Sequence, residues 1–248
     1  MINTKILLLS VLSALSVKIS HAESTLTLGA GVGGVEQPYK GYDSKTYLIP
    51  AVSYDGDSFW FRGLGGGYYL WNDTADTLSL IAYWSPVCFR PDNSINHQLR
   101  QLDKRKSTMM AGMSWSHYTP YGFLRSSLAA DVLDNSKGVV ADVAWLYRYA
   151  NSSFVLTPGI GVEWSSQNHN NYYYGVSRRE SVRTGLERYQ AGNGWAPYLE
   201  VSVNYNFLGN LSIYGTVRYT RLSEEVVDSP MVNKLWSGLF STGITYRF

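Results

Sequence analysis

Ala196-Pro197-Tyr198-Leu199-Glu200-Val201-Ser202-Val203-Asn204-Tyr205-Asn206-Phe207 carries two faces in one line of sequence. Pro197, Leu199, Val201, Val203, Tyr205 and Phe207 are apolar, and the residues between them are mostly polar or small. Side chains alternate across a β-strand, so this stretch reads as a strand with one apolar and one wet face. The turn Leu208-Gly209-Asn210 follows. Alternation then resumes, with Leu211, Ile213, Val217 and Tyr219 opposing Ser212, Tyr214, Thr216 and Arg218.

The same pattern recurs outward from this hairpin. In 139–149 the apolar face is Val139, Ala141, Val143, Trp145, Tyr147 and Tyr149; in 154–164 it is Phe154, Leu156, Pro158, Ile160, Val162 and Trp164. Further strands are expected near 25–35, 46–54, 58–70, 77–86, 106–118, 122–132 and 236–248, with no amphipathic helix between them. The expected architecture is all-β, one meandering antiparallel sheet without a domain linker.

A water-soluble sandwich also alternates, but three features favour a membrane barrel. The strands are longer than the usual five or six residues of globular sheets, and they suit a tilted transmembrane strand. Trp84, Trp164, Trp195 and Trp236 flank the longer loops, as indole does at the hydrocarbon–water boundary. The inferred inner faces carry Arg62, Arg125, Asp131, Asp142, Arg148, Glu163, Glu200, Arg218 and Arg247. A sandwich core would not hold so many charges, whereas a barrel lumen can. The outward face would then contact outer-membrane lipid.

Ser241-Thr242-Gly243-Ile244-Thr245-Tyr246-Arg247-Phe248 resembles the carboxy-terminal signal that barrel assembly machinery recognises, with Gly243, Tyr246 and Phe248 as its markers. With Phe248 on the periplasmic side, 87–105, 165–195 and 223–235 become extracellular loops. That frame covers ten strands over 46–248. Residues 25–35 then lie inside or below the barrel, or pair with an unseen strand to make twelve, since bacterial barrels have even strand numbers.

The segment 1–22 has an early cation, Lys5, an apolar stretch at 6–17, and Ser20-His21-Ala22. It reads as a secretory signal peptide, leaving a barrel at 23–248 that begins at Glu23. The chain carries 21 Lys+Arg against 19 Asp+Glu. Lys5 and Lys18 lie in the signal, which holds no acid, so the remainder is balanced and gives no reason to expect nucleic acid as a partner. Cys88 is the lone cysteine and cannot form an internal disulfide. Twenty Tyr and eight Trp at a mean hydropathy of −0.16 suit strands that are apolar on one face only.

Little in the sequence points to chemistry. Gly29-Ala30-Gly31-Val32-Gly33-Gly34 and Gly63-Leu64-Gly65-Gly66-Gly67 neither open a helix nor carry a P-loop Lys. They read as places where strands bend or backbones approach closely. Ser116 adjoins His117, but neighbours on a strand point to opposite faces and cannot act as nucleophile and base. His97, near Asp92, and His169 lie in loops, and no cluster has metal-ligand spacing. No catalytic residue, metal or cofactor is expected. Two binding features are. Counting back from Phe207 opposite Leu211 places Glu200 opposite Arg218, a candidate lumen ion pair. In the longest loop, Tyr172, Tyr173, Tyr174, Arg178 and Arg179 form a candidate binding surface, since Tyr and Arg dominate binding hot spots. The alternative is a loop folded inward and satisfied there.

The chain as a whole resembles the MltA-interacting protein (MipA/OmpV) family of outer-membrane proteins. The resemblance rests on Gly29-Ala30-Gly31-Val32-Gly33, Pro38-Tyr39-Lys40-Gly41-Tyr42, the long block from Phe59 to Asp73, residues 172–180, Asp228-Ser229-Pro230-Met231-Val232 and the end at Phe248. It implies a non-enzymatic scaffold in murein turnover. Such a scaffold would bring a membrane-bound lytic transglycosylase together with a bifunctional murein synthase, a penicillin-binding protein. The alternative is a narrow outer-membrane channel for small solutes. An obstructed lumen would separate the two.

Overall fold

The computed structural model describes residues 24–42 and 45–248. The signal segment 1–22 lies outside the described residues. Thirteen strand segments form one antiparallel sheet: β1 (Thr25–Glu36), β2 (Lys45–Asp55), β3 (Phe59–Arg62), β4 (Gly65–Asn72), β5 (Asp76–Ser85), β6 (Thr108–Thr119), β7 (Gly122–Asp131), β8 (Val139–Leu146), β9 (Tyr149–Ala150), β10 (Phe154–Ser165), β11 (Gly194–Leu208), β12 (Leu211–Arg221) and β13 (Trp236–Arg247). Each pairs with its neighbour, and β13 pairs with β1 from Thr27↔Arg247 to Glu36↔Gly238, which closes the ring. Both β8 and β9 pair with β10, so they are two pieces of one strand and the barrel has twelve. Their break has a local cause. The Tyr147 N–H donates to the Pro158 carbonyl (2.9 Å). Pro158 has no N–H to return the bond, so the ladder lapses at 147–148.

The expected strand at 58–70 is two strands. Gly63, at φ +58, turns the chain back on itself, and Arg62 faces Gly65 across the hairpin. This short hairpin supplies the strand missing from the count of eleven, and 25–35 takes its place in the wall as β1.

Outward and inward faces follow the alternation. Leu199, Val201, Tyr205 and Phe207 are exposed on the outer wall, while Tyr198, Glu200 and Ser202 are buried inside. Trp164 sits directly opposite Trp195, with ring centroids 6.3 Å apart. Trp236 stacks on Tyr219 at 5.6 Å. These rings lie at the loop-bearing ends of their strands, as an interfacial girdle requires. The glycines of β1 are explained by crowding. A Cβ on Gly31 would lie 2.4 Å from both the Thr242 carbonyl oxygen and the Tyr214 hydroxyl. Only glycine lets β1 approach β13 here.

The long loops are not featureless. α1 (Gln167–Tyr174), α2 (Arg178–Thr184) and α3 (Glu224–Val227) lie within them, short helices that amphipathic periodicity in the sequence does not announce. The Ser177–Glu180 capping box starts α2, and Gly185 ends it in the left-handed region at φ +72. Among the described residues, no helix is long and apolar enough to cross a membrane.

Candidate functional site: the lumen and its cap

Inside the barrel, five charges form one connected network. Arg125 on β7 pairs with Glu200 on β11 at 3.0 Å and approaches Asp142 on β8 at 3.8 Å. Arg218 on β12 reaches Asp142 at 3.3 Å and Glu163 on β10 at 3.5 Å. The Tyr198 hydroxyl donates to Asp142 (2.7 Å) and accepts from Arg125 (3.2 Å). The Arg218 guanidinium lies 3.4 Å from the centre of the Tyr198 ring, a cation–π contact. Below this network Phe123, Ala144, Leu146 and Tyr198 pack into a small apolar cluster. A second pair, Arg62–Asp55 at 3.0 Å, is joined by the Tyr69 hydroxyl.

Glu200 and Arg218 are opposite each other in the register, and both line the central cavity. They do not form the expected ion pair. Glu200 is held by Arg125, and Arg218 by Asp142 and Glu163. Small residues on β10 cause the exchange. A Cβ at Gly161 would meet the Tyr198 ring at 2.3 Å, and one at Gly159 would meet Leu146 at 3.0 Å and Glu200 at 3.3 Å. Without those atoms, Tyr198 and Glu200 lean across β10 toward β7 and β8. Strand alternation reveals register, but this lean depends on three strands at once.

A folded cap lies over the mouth that carries the long loops. Tyr39, Phe89, Leu99, Leu102, Val176, Leu186, Val226, Met231 and Val232, drawn from four separate loops, form a buried apolar core. A buried ion pair joins two of those loops, Arg105 to Glu180 at 2.7 Å. The Glu180 carboxylate also accepts from Asp103 N–H (3.1 Å), Ser177 N–H (3.0 Å) and the Ser177 hydroxyl (2.7 Å). Its acidity is pulled both ways. Burial raises the pKa, but the hydrogen bonds from Ser177 and the charge of Arg105 outweigh it and hold the carboxyl below its usual range. His169 is buried beneath the cap, and that burial drives its pKa down to about 4 against a small opposing pull from Asp131. Lys234 and Glu36 pair at the cap's edge.

This cap corrects the expected loop surface. Tyr173 is wholly buried and donates to the Lys106 carbonyl (3.1 Å). Tyr174 packs against the cap core and lines the cavity. Tyr172 accepts the Lys106 N–H (2.9 Å). Only Arg178 and Arg179 of the five remain exposed. The tyrosines are apolar bodies with a polar tip, and the cap uses both ends. The signal that would have told this apart is the Ser177–Glu180 box, which predicts an ordered helix in the loop.

Ser116 lines the cavity, while His117 pairs with Asp76 at 3.0 Å. Trp115 donates to the same carboxylate (3.0 Å). His97 contacts Gln101 at 3.2 Å. Among the described residues, no group of three His, Cys, Asp or Glu could hold a metal.

A closed antiparallel barrel with a lipid-type outer face, an aromatic girdle and a charged interior is a transmembrane barrel of the outer membrane. The family profile described as MltA-interacting protein MipA matches residues 28–248. The chain belongs to that family. It is 62% identical over its whole length to the full-length MltA-interacting protein of Escherichia coli (strain K12). It is 25% identical to outer membrane protein Omp26La of Vibrio anguillarum and to outer membrane protein OmpV of Vibrio cholerae serotype O1, each over 88% of this chain and 84% of the relative.

Proposed function

We propose that this protein is a non-enzymatic scaffold that holds a membrane-bound lytic transglycosylase beside a bifunctional murein synthase of the penicillin-binding class. The observation that carries the reading is the folded apolar cap drawn over the loop-bearing mouth, with the Arg125–Glu200–Asp142–Arg218 network narrowing the lumen from one wall beneath it. A barrel obstructed in this way is poorly suited to passing solutes and well suited to presenting its rim. The name of the 62% identical relative supports a partner of the lytic transglycosylase kind. The partners work in the periplasm, so the contacts belong to the periplasmic turns near 56–58, 72–76, 119–121, 151–153 and 208–210. Trp71, Tyr121 and Leu208 are exposed there. Partners anchored in a membrane are confined near that rim, which raises their effective concentration. Short turns offer little area, so each contact is weak, as interfaces below about 1,200 Å² usually are. The segment 1–22 directs export and is then removed, so amino-terminal sequencing of the mature protein is expected to start at Glu23.

The test is capture of each purified enzyme by the detergent-purified barrel, with and without substitution of the turn tips. Binding lost with the tips supports the scaffold. Binding lost on changing Arg178 and Arg179 instead moves the interface to the extracellular face. If the wild type captures neither enzyme but conducts small solutes across planar bilayers, the channel reading replaces it.

A further inference from the structure

The barrel wall is incomplete beside its shortest strand. β3 has only four residues and pairs with β2 no further than Ser53↔Arg62. Among the described residues, no strand pairs with β2 on that side above this point, although β1 pairs with β2 along its whole length. The Gly63 N–H donates to the Val52 carbonyl (2.9 Å), so Val52 and every second residue above it turn their backbone groups toward the notch. Pro50 is one of these, and proline is the residue that an unpaired edge tolerates. Leu48, next along that edge, is 79% exposed. Trp84 donates its N–H to the Leu64 carbonyl at the floor of the notch (3.0 Å) and marks the interfacial level.

The barrel interior holds a cavity of about 380 Å³, within the range of small-ligand pockets, and Trp60, Arg62, Ser85, Pro86 and Val87 line it on the side of the β3–β4 hairpin. It is amphipathic across its width. Val35, Ile81, Pro86, Val87 and Met110 line the near wall. The charged network occupies the far wall, on β7, β8, β10, β11 and β12. That network has two arginines against three carboxylates. Glu163 is the least enclosed of the three, with 36% of its side chain exposed and its arginine no closer than 3.5 Å. The open edge stands at and above the level of Trp84, where lipid headgroups rather than hydrocarbon meet its backbone groups.

We propose that this cavity is a binding site for a single-chain amphipathic amine drawn from the outer leaflet through the notch between β2 and the β3–β4 hairpin. The amine lies against Glu163, where it balances the third carboxylate. The hydrocarbon chain lies along Tyr83, Met110 and Val87 and leaves through the notch beside Leu48. The packed cap covers the loop-bearing mouth, which favours arrival sideways from lipid.

The probe is an alkylamine with a diazirine in mid-chain, added to the protein in phosphatidylcholine vesicles, with adducts mapped by peptide mass spectrometry. Saturable adducts on the inward Met110 and Tyr83 are expected, displaced by unlabelled alkylamine. A carboxylate-headed analogue should label these sites about tenfold less, the scale of one charge-assisted hydrogen bond. Glu163→Gln should remove that preference while the barrel keeps its folded gel mobility. A bulky maleimide on Leu48→Cys should slow the inward labelling. Adducts confined to the outward Met109 and Met113 overturn the site. Equal labelling by amine and carboxylate overturns the ligand class, and unchanged labelling behind a blocked Leu48→Cys overturns the lateral route.

Discussion

At the scale of single residues, the lumen charges matter through their partners. Arg125 is the cation that Glu200 needs, so a double-mutant cycle between Arg125→Ala and Glu200→Ala should show coupling of about 1–3 kcal/mol. The cycle between Glu200→Ala and Arg218→Ala should give less, because no direct contact joins them. Urea unfolding of the barrel in detergent measures both. Arg105 carries a second residue-scale prediction. Arg105→Ala leaves Glu180 buried without its cation, a loss of about 3–5 kcal/mol. The loss should fall on the cap, seen as faster proteolysis within 166–193, while heat-modifiable gel mobility of the barrel stays unchanged.

At the scale of elements, the cap and the closing strand pair behave differently. Cap stability should depend on acidity. His169 is held at about 4 when folded against 6.5 unfolded. Its contribution is complete above about 6.5 and is lost progressively as pH falls toward 4. Glu180 is also lowered, so its contribution is present above 4.5 and is lost below it. Both act in one direction: acid loosens the cap. Hydrogen exchange at 173–186 should accelerate between pH 6.5 and 4 while β11 and β12 stay protected. H169F should remove the upper part of that transition. The β1–β13 seam is set by crowding instead. Gly31→Val forces side-chain atoms into the Thr242 carbonyl and the Tyr214 hydroxyl. It should cost at least the roughly 1–3 kcal/mol of an overpacked core, read as a lower urea midpoint and a smaller folded fraction.

For the whole molecule, closure and assembly join the two ends of the described chain. The Phe248 N–H donates to the Leu26 carbonyl (2.9 Å), and its ring packs edge-on to Tyr246 at 4.8 Å. Phe248→Ala keeps the backbone bond and loses the aromatic pair, worth about 0.5–1.5 kcal/mol. If Gly243, Tyr246 and Phe248 form an assembly signal, the variant's folding yield in cells should fall well below what that small loss explains. Equal losses in cells and in purified refolding would assign Phe248 a structural role alone.

Alternation in the sequence was enough to establish which residues face lipid and which face the lumen, because a period of two follows from strand geometry alone. The count across the hairpin likewise placed Glu200 opposite Arg218, although its starting pair is corrected: Leu208, not Phe207, faces Leu211, and a bulge between Asn206 and Leu208 leaves the register beyond it as counted. Three things needed the tertiary structure. The twelfth strand is hidden in an apolar glycine-rich run, where a two-strand hairpin and one long strand read alike until Gly63 takes its left-handed turn. The ion-pair partners depend on the missing side chains of Gly159 and Gly161, which open a path across β10 that no single strand contains. The cap tyrosines look like a binding surface in sequence and are core in space, because their burial comes from three other loops far away along the chain.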